Sequence, residues 1–230
     1  MELVLFDTPT ASNLPDAATV GALARLATRT AGFTYTVHLP ADVGPAETAP
    51  LLLDVARRTR PLEPVGTIVH LSDPTGGTGL VDAPAQAAWL DTVRRRLDEL
   101  AEVVGGHEYL CVENVEGWPP ELFHSLLDEL PLSLCIDIGH FWRTRRDPVP
   151  YLQTHLPRTR IVHLHGCDEN GVDHQALSAT PPAQLRLALA ELQHFAGVLT
   201  LEVFGQPHFR NSREVLEQTW RTLTNGNGKG

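Results

Sequence analysis

The chain has 230 residues, 42% of them hydrophobic and 6% aromatic, which suits one α/β domain with a substantial core and not a disordered chain. A formal net charge of −10 argues against a nucleic-acid binder, whose surface must be basic to neutralise phosphates. No apolar run approaches the roughly 18–20 residues that span a bilayer, and the opening MELVLFD lacks a basic leader, so a cytoplasmic protein without a membrane partner is expected.

Strand-like and helix-like segments alternate with little between them. ELVLFD at 2–7 reads as a strand and 15–31 as a helix opened by Pro15-Asp16. A strand at 34–39, a helix near 46–60, a strand at 66–71 and a long helix at 83–104 follow. Then come a strand at 108–114, a helix at 119–130 opened by Pro119-Pro120, and a strand at 132–138. A short helix near 148–156, a strand at 160–165, a helix at 181–195, a strand at 198–204 and a helix at 211–223 complete the pattern. Prolines at the helix starts suit first-turn positions, where the missing N–H would have had no partner. Residues 224–230, rich in Asn and Gly, read as a disordered tail behind a single domain over 1–223.

This βα alternation implies a parallel sheet with crossover helices, doubly wound or closed as a barrel. No G-x-G-x-x-G follows the first strand, so dinucleotide binding has no support. Polar residues come from nearly every strand end, whereas an open sheet gathers them at one switch point, so a TIM-type (β/α) barrel is favoured. Seven βα units are visible, and the first strand of an eight-unit barrel is expected to be missing. An uncovered parallel edge is a pairing liability, so a homodimer contact or a covering segment is expected there.

Six apolar segments stop on a carboxylate or imidazole: YTVHLPAD (35–42), GTIVHLSD (66–73), YLCVENVE (109–116), LSLCIDIGH (132–140), RIVHLHG (160–166) and VLTLEVFG (198–205). Strand side chains alternate, so Tyr109, Cys111 and Glu113 share one face, and Leu110 and Val112 the other. The same parity joins Cys135 with Asp137, His163 with His165, and Thr200 with Glu202, and it sets His38 and His70 opposite their aliphatic neighbours. One lone histidine in a strand is commonly a core residue. Six successive strand ends with donors on one face are not six accidents, and an unpartnered buried carboxylate is costly.

Glu113, Asp137, His163 and Glu202 form the expected first coordination sphere, a set that suits Mn²⁺ or Zn²⁺. His38, His70, His140, Asp173 and His174 exceed one sphere, so two or more divalent metal ions per chain are expected. Two-metal sites favour in-line attack on a phosphate ester, which points to hydrolysis. Arg143, Arg145 and Arg146 lie in the expected loop after His140 and could hold a phosphate; a solvated loop is the plainer alternative. Trp118, Phe141 and Trp142 could wall a large ligand or simply pack the loops. Cys111, Cys135 and Cys167 are odd in number and without C-x-x-C spacing, so neither a disulfide framework nor a zinc ribbon is supported.

Strand ends bearing Glu, Asp-x-x-His, His and a final Glu resemble the metal set of the xylose isomerase-like barrel superfamily. That superfamily holds sugar isomerases and epimerases and the endonuclease-IV-type phosphodiesterases. The resemblance implies Glu113, Asp137, His140, His163 and Glu202 as ligands, with His38 and His70 matching the extra histidines of the multinuclear phosphodiesterases. At finer grain, ELVLFD, NLP (13–15), YTVHLPAD, RPLEP (60–64), CVEN, CIDIGH, RIVHLHG, DHQAL (173–177) and VLTLEVF, in this order, resemble the cobamide-remodelling phosphodiesterases. These are cytoplasmic bacterial enzymes that hydrolyse the nucleotide loop of cobamides, and they usually carry a further N-terminal strand.

The expected activity is therefore a metal-dependent phosphodiesterase acting on a small molecule, a cobamide or another phosphodiester. Glu113, His140 and Glu202 are its catalytic candidates, and Arg143, Arg145 and His165 its substrate contacts. The alternative is a sugar isomerase or epimerase, in which Glu113 and Glu202 face each other across one metal and shuttle a proton. A third reading is a corrinoid or metal carrier that binds without reacting.

Overall fold

The computed structural model describes residues 1–71, 83–115 and 123–226. The chain divides into two compact units, Met1–Leu134 and Cys135–Gly230, with the division falling inside the fifth strand.

In the first unit, strands β1 (Glu2–Val4), β2 (Thr36–His38), β3 (Gly66–Val69) and β4 (Leu110–Glu113) alternate with helices α1 (Ala17–Arg29), α2 (Ala49–Thr59), α3 (Ala83–Val104) and α4 (His124–Glu129). The strands are parallel and lie in chain order, with Val37 between Leu3 and Thr67, and Ile68 beside Cys111. β2, β3 and β4 are buried along their length, as parallel strands covered on both faces must be. Asp16 starts α1 by accepting from the Thr19 amide at 2.7 Å, one residue beyond the expected Pro15 opening. Inward-facing Val20 packs with Tyr35 and Leu62, and the Tyr35 hydroxyl donates to the Leu23 carbonyl. In α3, Val93, Leu97, Leu100 and Ala101 recur at three- and four-residue steps and are buried, each larger side chain contributing about 1.5–3 kcal/mol.

In the second unit, β5 (Ser133–Asp137), β6 (Thr159–Leu164) and β7 (Val198–Leu201) follow one another in the sheet. They alternate with α5 (Ile138–Arg143), α6 (Val149–His155), α7 (Pro182–Glu191) and α8 (Gln206–Gly226). β6 and β7 are parallel with His163 beside Thr200, and Glu202 continues the ladder by donating its amide to Leu164.

Two differences from the sequence reading stand out. α5 is a helix where a loop was expected; the Asp137 carboxylate caps it by accepting from the His140 amide at 2.8 Å. α8 begins at Gln206, with Pro207 in its first turn, and runs to Gly226, three residues into the segment read as a tail. The expected Pro119-Pro120 helix opening, Trp118, Glu116, Asp73 and the end of the tail lie outside the described residues. Among the described residues no helix is long and apolar enough to cross a membrane.

Candidate metal centres

The first unit brings three strand-end donors together. β2 ends on His38, the chain leaves β3 through His70, and β4 ends on Glu113. His38 Nε2 lies 3.1 Å from His70 Nε2, and both lie close to Glu113 Oε2, at 3.2 and 3.0 Å. Donors held at 2.0–2.1 Å in a tetrahedron sit roughly 3.3 Å apart, so this triangle has the dimensions of a shared metal. The tautomers agree with that. His38 Nδ1 is 3.1 Å from its neighbour's carbonyl at Leu39, and donating there leaves the Nε2 lone pair aimed at the triangle. His70 Nδ1 is 3.6 Å from Asp42 Oδ1, which orients the ring from behind in the same way. Asp42, the last residue of YTVHLPAD, is a partner that strand parity does not single out, although it closes one of the strand-end segments.

A metal-free triangle needs a proton instead. Burial alone pushes the His70 imidazolium toward losing it, but the Glu113 charge and hydrogen bonds to Asp42 and Glu113 outweigh that and raise the pKa to about 10.

In the second unit, Asp137 at the end of β5, His163 in β6 and Glu202 after β7 each offer a ligand atom, all within 4.8 Å of one another. His163 Nδ1 is 2.9 Å from Glu202 Oε2 and 3.9 Å from Asp137 Oδ2. Glu202 Oε2 is buried, and His163 is not aligned to donate to it, the geometry of two ligands aimed at a common point rather than at each other. His140, His165 and His174 form a further group with ligand atoms within 4.8 Å. His165 stacks on His174, with ring centroids 4.2 Å apart and planes 10° off parallel, and His140 meets both rings edge-on. His165 Nε2 lies 3.2 Å from Asp137 Oδ1. Burial opposes the His165 charge, but the adjacent Asp137 carboxylate outweighs it, with help from the Gly166 carbonyl and Glu202, and raises the pKa to about 9. His174 adopts a left-handed backbone at φ 52°, a strained conformation for a non-glycine residue and one that concentrates at functional sites.

The remaining candidates fall elsewhere. Asp173 is the acceptor of an ion pair from Arg143, and it belongs to none of the converging donor groups among the described residues. Arg143 is thus committed to a carboxylate. Phe141 is buried against Tyr151, so it packs the fold. Trp142, Arg145 and Arg146 line a separate cavity of about 400 Å³. Arg145 sits in the left-handed region at φ 58°, closing α5: its amide donates to Trp142, and the Arg146 amide to Phe141. Glycine is the usual occupant of such a closing position, and another residue costs about 1 kcal/mol there. Cys111, Cys135 and Cys167 are buried as small core residues and form no disulfide among the described residues.

No family model and no curated protein matches the chain. Solved structures do. A D-tagatose 3-epimerase-like protein superposes with TM-score 0.76 at 19% identity, over 98% of this chain and 89% of that one. Endonuclease IV from Thermus thermophilus gives TM-score 0.67 at 20% identity, over 94% of this chain and 88% of its own. The TTHB071 protein from the same organism, soaked with ZnCl2, gives TM-score 0.62 at 24% identity, over 100% of this chain and 88% of its own. Other likenesses are to xylose isomerase domain proteins and sugar epimerases. At such identities the likeness shows the fold alone, a TIM-type (β/α) barrel with seven parallel strands among the described residues.

Proposed function

We propose that the chain is a metal-dependent enzyme that hydrolyses a phosphodiester in a small molecule. One observation carries this reading: the His38–His70–Glu113 triangle exists in addition to the Asp137, His163, Glu202 and His140, His165, His174 groups. Proton shuttling at a carbon needs one metal. A donor supply this large suits more than one.

His38, His70 and Glu113 would hold one cation, with Asp42 fixing the His70 ring. Asp137, His163 and Glu202 offer a second set, and His140, His165 and His174 a third. Bound divalent cations supply Lewis acidity and neutralise charge building on a phosphoryl group. His140, buried in the first turn of α5, would protonate a leaving oxygen when the third set holds no cation. A cobamide nucleotide loop as the substrate rests on the sequence resemblance alone.

The second reading, a sugar isomerase or epimerase with Glu113 and Glu202 moving a proton, is the one the structural likenesses back better. The D-tagatose 3-epimerase-like protein and the epimerases among the neighbours favour it. Elemental analysis of the purified protein, run beside two activity assays, separates the readings. Two or more metals per chain, with release of the lower-ligand nucleoside from a cobamide or cleavage of bis(p-nitrophenyl) phosphate, supports hydrolysis. One metal, solvent deuterium entering a ketose and no phosphodiester cleavage would overturn it in favour of the second reading.

A further inference from the structure

The cavity of about 400 Å³ beside α5 is lined by Trp142, Arg145, Arg146, Asp147, Pro148, Gln184 and Leu187, none of which belongs to a donor group. On α5, His140 meets the rings of His165 and His174. Two residues on, Trp142 lies about 200° further round the helix, so the cavity opens on the opposite flank. From this we propose a second, metal-independent binding site, for a small organic anion that carries a flat ring.

Four features select that chemistry. Trp142 is a buried wall, 8% exposed, and Leu187 stands at 61% exposure on α7, a large apolar side chain with nothing over most of it. Together they offer apolar cover to a ring. Two consecutive arginines line the same space in a chain whose net charge is −10. Arg146 is held by stacking, its guanidinium 5.5 Å from the Phe141 ring centroid. Arg145 has no carboxylate partner among the described residues, and it occupies a left-handed position where glycine would be unstrained. Asp147 also lines the cavity, but its Oδ1 accepts from the Val149 amide at 3.0 Å, so this carboxylate is engaged in starting α6. Gln184 adds an amide able to donate to the anion. The volume lies within the range of small-ligand pockets.

The test uses the full chain stripped of metal with chelator, and calorimetric titration with phenylphosphonate, which offers a ring and an anion but no hydrolysable ester. Saturable binding is expected, with methylphosphonate, which lacks the ring, and cyclohexylphosphonate, which is not flat, both weaker. Benzoate in place of phenylphosphonate tells a carboxylate site from a phosphoryl site. Arg145→Gly should weaken phenylphosphonate by roughly tenfold or more, the usual effect of losing a charge-assisted hydrogen bond. The same variant should raise the thermal midpoint by about 2–4 °C, because strain is relieved. A loss of binding in a better-folded protein cannot come from unfolding. Leu187→Ser, at the exposed rim, should weaken the phenyl ligand and leave methylphosphonate unchanged. No saturable binding by the parent protein, or undiminished binding by Arg145→Gly, would overturn the proposal; equal affinity for methyl- and phenylphosphonate would overturn its ring component.

Discussion

Gly139 is the position at which one methyl group should do most harm. A Cβ built there meets His165 Cε1 at 2.1 Å and Nδ1 at 2.3 Å, against ordinary contacts of 3.4–4 Å. The imidazole would have to retreat by more than 1 Å, and it cannot do so while staying near Asp137, 3.2 Å from its Nε2. Two effects oppose each other. Alanine is favoured over glycine inside a helix by about 1 kcal/mol. Overpacking a closed site costs about 1–3 kcal/mol, and displacing one partner of a buried ion pair adds about 3–5 kcal/mol when the loss is complete. The cost wins, with a net destabilisation of at least about 2 kcal/mol. For a chain of this size that is a fall in thermal midpoint of roughly 4–8 °C. Gly21→Ala is the internal control. It too is helical, but its Cβ meets only Arg25 Nη1, at 3.4 Å, so the propensity gain should survive and the midpoint rise by about 2–4 °C. Differential scanning fluorimetry of both variants reads the comparison, and elemental analysis shows whether Gly139→Ala also loses metal. If Gly139→Ala were as stable as Gly21→Ala and kept its metal, the packing of Gly139 against His165 would be wrong.

Other expectations follow from the same geometry. Folding raises the proton affinity of His70 and His165 above the ordinary 6.5, so their contribution to metal-free stability is complete below about pH 6.5 and lost as pH rises through about 9 and then about 10. Denaturant titrations of chelated protein at pH 6 and pH 10 should show the midpoint falling; a flat profile would contradict the buried charges. Cations must displace those protons, so loading metal at pH 7 should release about two protons per chain. Titration in buffers of different ionisation enthalpy counts them, and zero release would remove His70 and His165 from the ligand sets. Arg143→Ala should cost less than about 1 kcal/mol, because the pair with Asp173 is exposed on the arginine side; a larger loss by chemical denaturation would give Arg143 a structural role not visible in its contacts.

Much of the framework was legible because period and chemistry agreed. The expected helix at 83–104 is α3 as found, since its apolar residues recur with helical spacing over six turns. Strand parity put Asp137, His163 and Glu202 on one face, and their ligand atoms lie within 4.8 Å of one another; burial alone could not have picked them out, since Ile136 and Val162, on the other face, are as inaccessible as Asp137 and His163. α5 is illegible because six residues with a glycine in the first turn give no period to read, and Asp137, its only signal, looks like a strand exit. Partner choice was also out of reach. Nothing in the order of residues says that Arg143 meets Asp173, that His38 and His70 approach within 3.1 Å, or that His174 takes a left-handed backbone. Those depend on where separate loops come to rest.

Asp137 carries two duties on one carboxylate. Its Oδ1 starts α5 by accepting from the His140 amide, and the same group lies beside His163 and His165. A helix of six residues does not hold its shape unaided, so His140 is presented only while that carboxylate is in place. Asparagine would keep the cap and lose the charge, while glutamate would keep the charge and reach too far to cap. Neither of the two closest side chains therefore serves both duties. A collection of sequences with this architecture should hold aspartate there with less drift than at any surrounding apolar site.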